Sequence, residues 1–410
     1  MTGPGGARAE RIVGRLDALF EIGRAAGTNR PGLGPGEQQA HDLVAGWMRE
    51  AGIEVSVDPA GNLFGRVPGA DPGLPEVWTG SHLDTPPDGG RFDGALGVVM
   101  GLDVAEAILR SGGARRTVAV VAFRLEEGPR FGRGVFGSRA VVGELDADEA
   151  DLVDSDGVTL GEAFAALGLG DELPSGPLVK RLPACFVEAH IEQGPSLAAR
   201  GAALGVVTSI AGMAGIELVF SGRRGHAGTV PMDLRSDALA AAAGFVRAVH
   251  GLARGLPGAV ATIGRMEVSP GATNTIPGRV TAFADLRAPD AATLQSLVAG
   301  ATAAAAAEAA EAACEVEILP RWRYEPVAMD AGPAGALRRA VAAAGLDPVE
   351  LPSGAGHDAA VMAEAGVPSA MLFVRSDAGG VSHAPEESTG ADAVAAAVGV
   401  LEAAISELAA

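Results

Sequence analysis

Lysine is almost missing from this chain. Lys180 stands alone among 31 basic residues, and the rest are arginine. A phosphate-cradling P-loop needs Gly-Lys-Ser/Thr; Lys180 follows Pro-Leu-Val, which excludes a P-loop nucleotide triphosphatase. Cysteine is as scarce. Cys185 and Cys314, the only two, are too few for a disulfide framework or a thiolate zinc site. Positive charge is in deficit, with 31 basic against 51 acidic residues, and the net charge of −20 argues against nucleic acid and anionic membrane surfaces as partners. No Gly-x-Ser-x-Gly occurs, so a serine hydrolase is not expected. The chain has no run of about 18 strongly apolar residues, and its opening MTGPGGARAERIV lacks the apolar stretch of a signal peptide. These gaps lead to the expectation of a soluble, cytoplasmic protein.

What is present is ample core-forming material. Apolar residues make up 48% of 410 positions, and a chain of this length suggests two or three domains at roughly 100–200 residues each. Residues 7–26 and 36–51 read as amphipathic helices separated by the breaker TNRPGLGPG. Short β-rich runs follow at 53–57, 62–67 and 76–82, then a helical stretch at 94–110 and the apolar strand TVAVVAF. Strands alternating with helices indicate an α/β domain with a mostly parallel sheet flanked by helices. The middle of the chain differs. Strands at about 202–209 and 215–222, a helix at 234–254, strands at 258–268 and 278–287, a helix at 291–312 and a strand near 314–320 form a β-α-β-β-α-β pattern. That is the ferredoxin-like α+β arrangement. It reads as an insertion, giving boundaries of 1–210, 211–327 and 328–410.

Candidate chemistry gathers where strands should end, the usual place for sites in such sheets. In GSHLDTPPDGGRFDG, His82 and Asp84 lie two apart and share a face, so Asp84 is placed to orient the imidazole, while Asp93 follows a glycine turn that can bring it back to His82. Glu126 and Glu127 follow TVAVVAF after Arg124-Leu125; adjacent strand positions face opposite ways, so one carboxylate is expected to ligate a metal and the other to face substrate. FVEAHIEQGP supplies His190 and Gln193, and GGVSHAPEES supplies His383. His357 and Asp358 open a helix in SGAGHDAAV, where His357 reads equally as a pocket donor or as a structural residue. His41 and His250 sit in helices without acidic partners and read as structural. Three His and two carboxylates on separate strand ends suit two divalent ions such as zinc, manganese, nickel or cobalt. Two such ions lower the pKa of a shared water toward roughly 7 and polarise a carbonyl, and a nearby free carboxylate can shuttle the proton to a leaving nitrogen. The combination calls for amide-type hydrolysis.

The ordered motifs GSHLDT…GGRFDGALGV, EEGPRF…GSRA, HIEQGP, GHAGTVPMDLRSDAL, NTIPGRV…DLR, SGAGHDA and SHAPEE resemble the hydantoinase/carbamoylase branch of the di-metal amidases and exopeptidases. That branch holds N-carbamoyl-L-amino-acid hydrolases, allantoate amidohydrolases and β-ureidopropionases. The resemblance implies that His82 and His190 hold one metal, Glu127 and His383 the other, and Asp93 bridges them. It implies Glu126 as general base and then acid, with Asp84 orienting His82. It further implies that the insertion is a lid and dimerisation domain of a homodimer. The lid's His226 would stabilise the tetrahedral intermediate, often in the partner's site, while Asn274, Gln193 and Arg287 grip substrate and Arg287 takes its carboxylate, which suits a planar guanidinium. The implied activity is hydrolysis of a linear carbamoyl C–N bond of a small carboxylate, releasing ammonia and carbon dioxide. An aminoacylase or dipeptidase on the same scaffold is the alternative. Pro86-Pro87-Asp88 and Gly132-Arg133-Gly134 depart from the branch's usual pattern and bear on substrate choice.

Two rivals fall in other classes. Gly132-Arg-Gly-Val-Phe-Gly137 matches G-x-G-x-x-G, with Asp154 near the offset of a ribose acid, which would suit a dinucleotide-dependent oxidoreductase, but no strand opens into the motif. A non-enzymatic metal-binding protein is disfavoured because every expected ligand and the base are present.

Overall fold

The computed structural model describes residues 4–410. Four strands form the middle of its larger sheet: Val77–His82, Val118–Phe123, Cys185–Ile191 and Ser369–Val374. Every residue of these strands is buried, as expected of parallel strands covered on both faces. Taken by first residue, the order runs Glu54, Leu63, Val118, Val77, Cys185, Ser369, Leu204. The central four are mutually parallel, Leu63–Val67 and Leu204–Ile210 run antiparallel to them, and Glu54–Val57 pairs antiparallel with Leu63–Val67. Parallel pairing puts the carboxyl ends of the four central strands on one edge, and the chemistry lies there.

Helix Ala95–Arg110 packs on this sheet and against helices Pro4–Phe20 and Ala391–Leu408. It is apolar almost all round, and 13 of its residues are buried, the pattern of a helix with no solvent face. Its two buried acids are neutralised from the N-terminal helix: Asp103 pairs with Arg8 and Arg11, and Glu106 accepts from Arg15 Nη2 at 2.6 Å. The first helix ends at Phe20, six residues short of the expected 26, and turns occupy the difference. The strand expected at about 202–209 is Leu204–Ile210, which pairs with Ser369–Val374 and with Val327–Ala328 in the larger sheet.

The chain divides into two compact units. The first is Met1–Thr208, Met329–Leu351 and His357–Ala410; the second is Ser209–Ala328 with Pro352–Gly356. The second unit has the antiparallel sheet Glu315–Tyr324, Gly212–Ser221, Arg279–Ala288, Val260–Ser269, in that order. In chain order this is 4-1-3-2, and helices Ala238–Gly255 and Ala291–Glu311 cover one face over Ile216, Leu218, Phe220, Val280 and Leu286. The short segment Pro352–Gly356, which the sequence reading left with the C-terminal part, packs with the second unit.

Candidate active site

His82 ends one central strand and His190 lies one residue before the end of the next; both are buried. Asp93 sits between them, its Oδ1 3.7 Å from His82 Nε2 and 3.1 Å from His190 Nε2. Its Oδ2 lies 3.2 Å from His383 Nε2, and His383 Nε2 is 3.4 Å from Glu127 Oε1. Asp93 therefore touches two donor groups at once: His82–Asp93–His190 and Asp93–Glu127–His383, each with its donor atoms within 4.8 Å of one another. The first turn of backbone after Asp93 must pass directly under an imidazole. Gly94 has φ +60, and a Cβ there would meet the His82 ring at 2.4 Å, so only glycine fits.

The candidate ligands are held in place from behind. His190 Nδ1 faces the Ile191 carbonyl at 2.9 Å, which leaves Nε2 free to point at Asp93. Asp84 does two things. Its main-chain carbonyl and its carboxylate lie 3.2 and 3.4 Å from His82 Nδ1. Its carboxylate also accepts the backbone N–H of Glu126 at 3.1 Å and of Glu127 at 3.0 Å. Glu387, buried beside the glycine turn, accepts the Phe92 and Asp93 N–H groups at 2.6 and 3.1 Å and the Ser382 hydroxyl at 2.7 Å.

Glu126 and Glu127 do not face opposite ways, which corrects the expectation from strand alternation. The strand stops at Phe123, and Leu125 is left-handed, with φ +47. That residue breaks the two-residue period, so both carboxylates reach the donor group His82–Glu126–Glu127, with Glu126 Oε2 3.9 Å from His82 Nε2. Glu37, on helix Pro35–Glu50, secures the break: its carboxylate accepts from the N–H of Leu33 and Leu125 at 2.8 and 2.9 Å and from Arg124 Nη1 at 3.0 Å. On the far side the N–H of Val135 donates to the Glu126 carbonyl at 2.9 Å, and a Cβ at Gly134 would meet that oxygen at 2.2 Å. Gly134 thus serves close packing against the Glu126 backbone, and Gly137 packs on Asn62 and Arg124. Asp154 pairs with Arg130, and the dinucleotide reading loses both its features.

Burial raises the Glu126 carboxyl well above the usual carboxylate range, and Glu127, Asp358 and Asp84 add to it against the opposing pull of His82. Burial and then Asp93 push Glu127 up to about 7. Burial also acts on Asp93, but the imidazoles His190, His383 and His82 outweigh it and hold the carboxyl well below its ordinary value. The contact with Asp93 lifts His383 to about 9. So much acid in one buried place is stabilised by positive charge. Asp93 Oδ1 is buried and receives no hydrogen bond, and the surrounding donors are imidazole nitrogens and carboxylate oxygens. Residues of this kind fit divalent cations.

The remaining expected residues fall in two places. Gln193 lies at the cluster, its Nε2 donating to Asp93 Oδ2 at 2.8 Å. His357 is buried with its ring 4.6 Å from that of His190, and burial holds its imidazole well below the usual range, hence neutral. His226, Asn274 and Arg287 belong to the second unit. His226 and Asn274 are neighbours on the small ladder Gly225–His226/Thr275–Ile276, where Ala227 N–H donates to the Asn274 carbonyl at 2.9 Å. His41 is buried, as a structural residue would be, and His250 is exposed on its helix. Sequence reasoning missed Glu37 and Glu188, and noted Glu387 only as an acidic neighbour of His383. Glu188 accepts the Ser81 hydroxyl at 2.7 Å and the Ala359 N–H at 3.0 Å, tying the strand of His82 to the helix after His357. Its signal was there: an acid two residues before His190 inside an apolar strand.

A parallel α/β sheet with this carboxylate–imidazole cluster at its strand ends defines a metallohydrolase type of site. The model of peptidase family M20/M25/M40 matches residues 78–407, and the chain belongs to that family. It is 38% identical over 384 residues to N-carbamoyl-L-amino acid amidohydrolase of Geobacillus stearothermophilus, covering 93% of each chain. It is 34% identical to a probable allantoate deiminase of Oryza sativa, covering 95% of this chain and 86% of that one. Among solved structures, a hydantoinase/carbamoylase family amidase from Burkholderia multivorans superposes with a TM-score of 0.92 at 35% identity over 98% of both chains. The chain is a hydrolase acting on non-peptide carbon–nitrogen bonds, not an oxidoreductase. Among the described residues, no helix is long and apolar enough to cross a membrane.

Proposed function

We propose that this enzyme hydrolyses the linear carbamoyl C–N bond of a small ureido acid, an N-carbamoyl-L-amino acid or allantoate, releasing ammonia and carbon dioxide. The observation that carries the reading is the buried Glu126 carboxyl, 3.9 Å from a ligand imidazole and set beside five candidate metal ligands. His82 and His190 would hold one divalent cation, Glu127 and His383 a second, with Asp93 shared between them. When bound, the pair supplies Lewis acidity toward a carbonyl and a water.

The protein's own residues do the rest. Glu126, raised by burial, takes a proton from the attacking water and returns it to the departing nitrogen. Asp84 fixes the backbone of Glu126 and Glu127 and the ring of His82, so base and ligands move as one body. Arg287 takes the substrate carboxylate, with Asn274 and Gln193 as further contacts, and His226 stabilises the tetrahedral intermediate. The enzyme acts as a cytoplasmic homodimer.

The test is ammonia release from an N-carbamoyl-L-amino acid, allantoate and β-ureidopropionate, each with zinc, manganese, nickel and cobalt. An acetyl amino acid and a dipeptide serve as comparisons. Turnover of a ureido acid at least tenfold (on the order of 1.4 kcal/mol) above the comparisons is expected; preference for the dipeptide or acetyl compound would replace this reading with an aminoacylase or dipeptidase.

A further inference from the structure

Arg287 is not a loose cation. It lies on strand Arg279–Ala288, two residues from Asp285, so both side chains leave the same face of the sheet. Arg287 Nε donates to Asp285 Oδ1 at 2.8 Å and Nη2 to Asp285 Oδ2 at 2.7 Å, a parallel two-bond clasp. Nη1 donates to the Gly354 carbonyl at 2.8 Å. Gly354 comes from the segment Pro352–Gly356 that packs with the second unit. A guanidinium has five N–H groups in one plane. Three are committed, on two separate anchors, so the plane and its direction are set. One N–H remains on each terminal nitrogen. Arg287 is only about one-third exposed, as is Asp285, so the free pair is presented from a restricted surface.

We propose that Asp285 is a positioning residue that makes this site select a planar carboxylate over other anions. The inference rests on the reading of Arg287 as the substrate's carboxylate receptor. Asp285 places a carboxylate against the guanidinium, which offsets part of its attraction for anions in general. What the site offers is geometry: the one N–H left on Nη1 and the one left on Nη2, held in a fixed plane for one planar carboxylate. A tetrahedral sulfonate carries the same charge but a different oxygen arrangement. Without Asp285, Arg287 keeps its charge and loses its aim.

The experiment compares wild type, Asp285→Ala and Asp285→Asn on an N-carbamoyl amino acid and on its sulfonate counterpart, N-carbamoyltaurine. Asp285→Ala is expected to raise KM for the carboxylate about tenfold, the equivalent of one charge-assisted hydrogen bond. Its kcat should stay within about twofold, and the carboxylate-over-sulfonate preference should fall by a similar factor. Asp285→Asn keeps one acceptor and should fall between. A wild-type KM and preference in Asp285→Ala would overturn the proposal. Crystal structures of the same variants give a readout that needs no turnover: Arg287 should leave the Gly354 carbonyl in Asp285→Ala, and an unmoved guanidinium refutes the role of Asp285. A wild-type enzyme inactive on every ureido acid would sink the proposed function instead, and the position of Arg287 in the variant would still decide this inference.

Discussion

Asp93 and Glu126 share one pocket and are driven apart by it. Three imidazoles surround Asp93 and keep it ionised, while Glu126 faces other carboxylates in a dry setting and holds its proton to higher pH. Two acids with opposed environments divide the labour between ligand and proton carrier. Replacing Glu126 by Gln keeps shape and removes the proton carrier. The kcat should fall about 10²–10⁴-fold, the usual worth of general acid–base help, with KM within a few-fold and metal content unchanged by elemental analysis. A variant within twofold of wild-type kcat would remove Glu126 from the mechanism. Arg287→Ala should show the opposite split, a large rise in KM for ureido acids, read by steady-state kinetics on the same panel.

At the scale of elements, Glu126, the proposed base, sits on a break rather than on a strand. Leu125 is left-handed and fully buried, a conformation that costs of order 1–3 kcal/mol and persists only where its surroundings impose it. The imposing group is the Glu37–Arg124 pair, both buried, with Asn62 accepting the Arg124 N–H at 3.0 Å. Removing one partner leaves a buried charge without its mate. Glu37→Ala should cost roughly 3–5 kcal/mol in urea unfolding, and an effect below about 1 kcal/mol would show the pair to be dispensable. The same helix carries His41, buried with neither ring nitrogen hydrogen-bonded. Burial lowers its imidazole well below the ordinary value of about 6.5. The unfolded chain therefore binds this proton more readily, so stability is complete above about pH 6.5 and falls as the pH drops below it. His41→Leu should remove that loss, with the variant gaining on wild type by up to ~1.4 kcal/mol per pH unit below 6.5. Urea midpoints at pH 7.5 and pH 5 give the comparison, and parallel curves would acquit His41.

The chain divides into two units, and the proposed roles are split between them. The candidate metal ligands all belong to the first; His226, Asn274 and Arg287 belong to the second. Proposed catalysis needs both, so two experiments probe the assembly. Prolonged chelation should abolish turnover, and added divalent cation should restore it; full activity in a demetallated sample would end the metal reading. If His226 serves a partner's site, mixing His226→Ala with His190→Ala should recover up to about one quarter of activity, the share of sites with both residues intact in a randomly mixed dimer. No recovery in mixed dimers assigns His226 to its own subunit.

Local pattern determined a good deal here. Continuous apolar runs such as VAVVAF specify buried parallel strands, because a strand covered on both faces has no polar side to alternate with. His and acidic residues at the ends of those runs marked the candidate site, and their ordered motifs marked the family. The ferredoxin-like second unit was legible from its element order. What the sequence could not reveal is how distant backbone is held: Asp84 gripping Glu126 and Glu127 across some forty residues, Glu37 reaching Leu125 across 88, and Gly354 meeting Arg287 across 67. Periodicity is a near-neighbour signal, and the left-handed Leu125 that turned both glutamates inward is paid for by partners far away in the chain. Which side chains would stand at strand ends was written locally; which way they would point was settled by contacts that exist only once the sheet has closed.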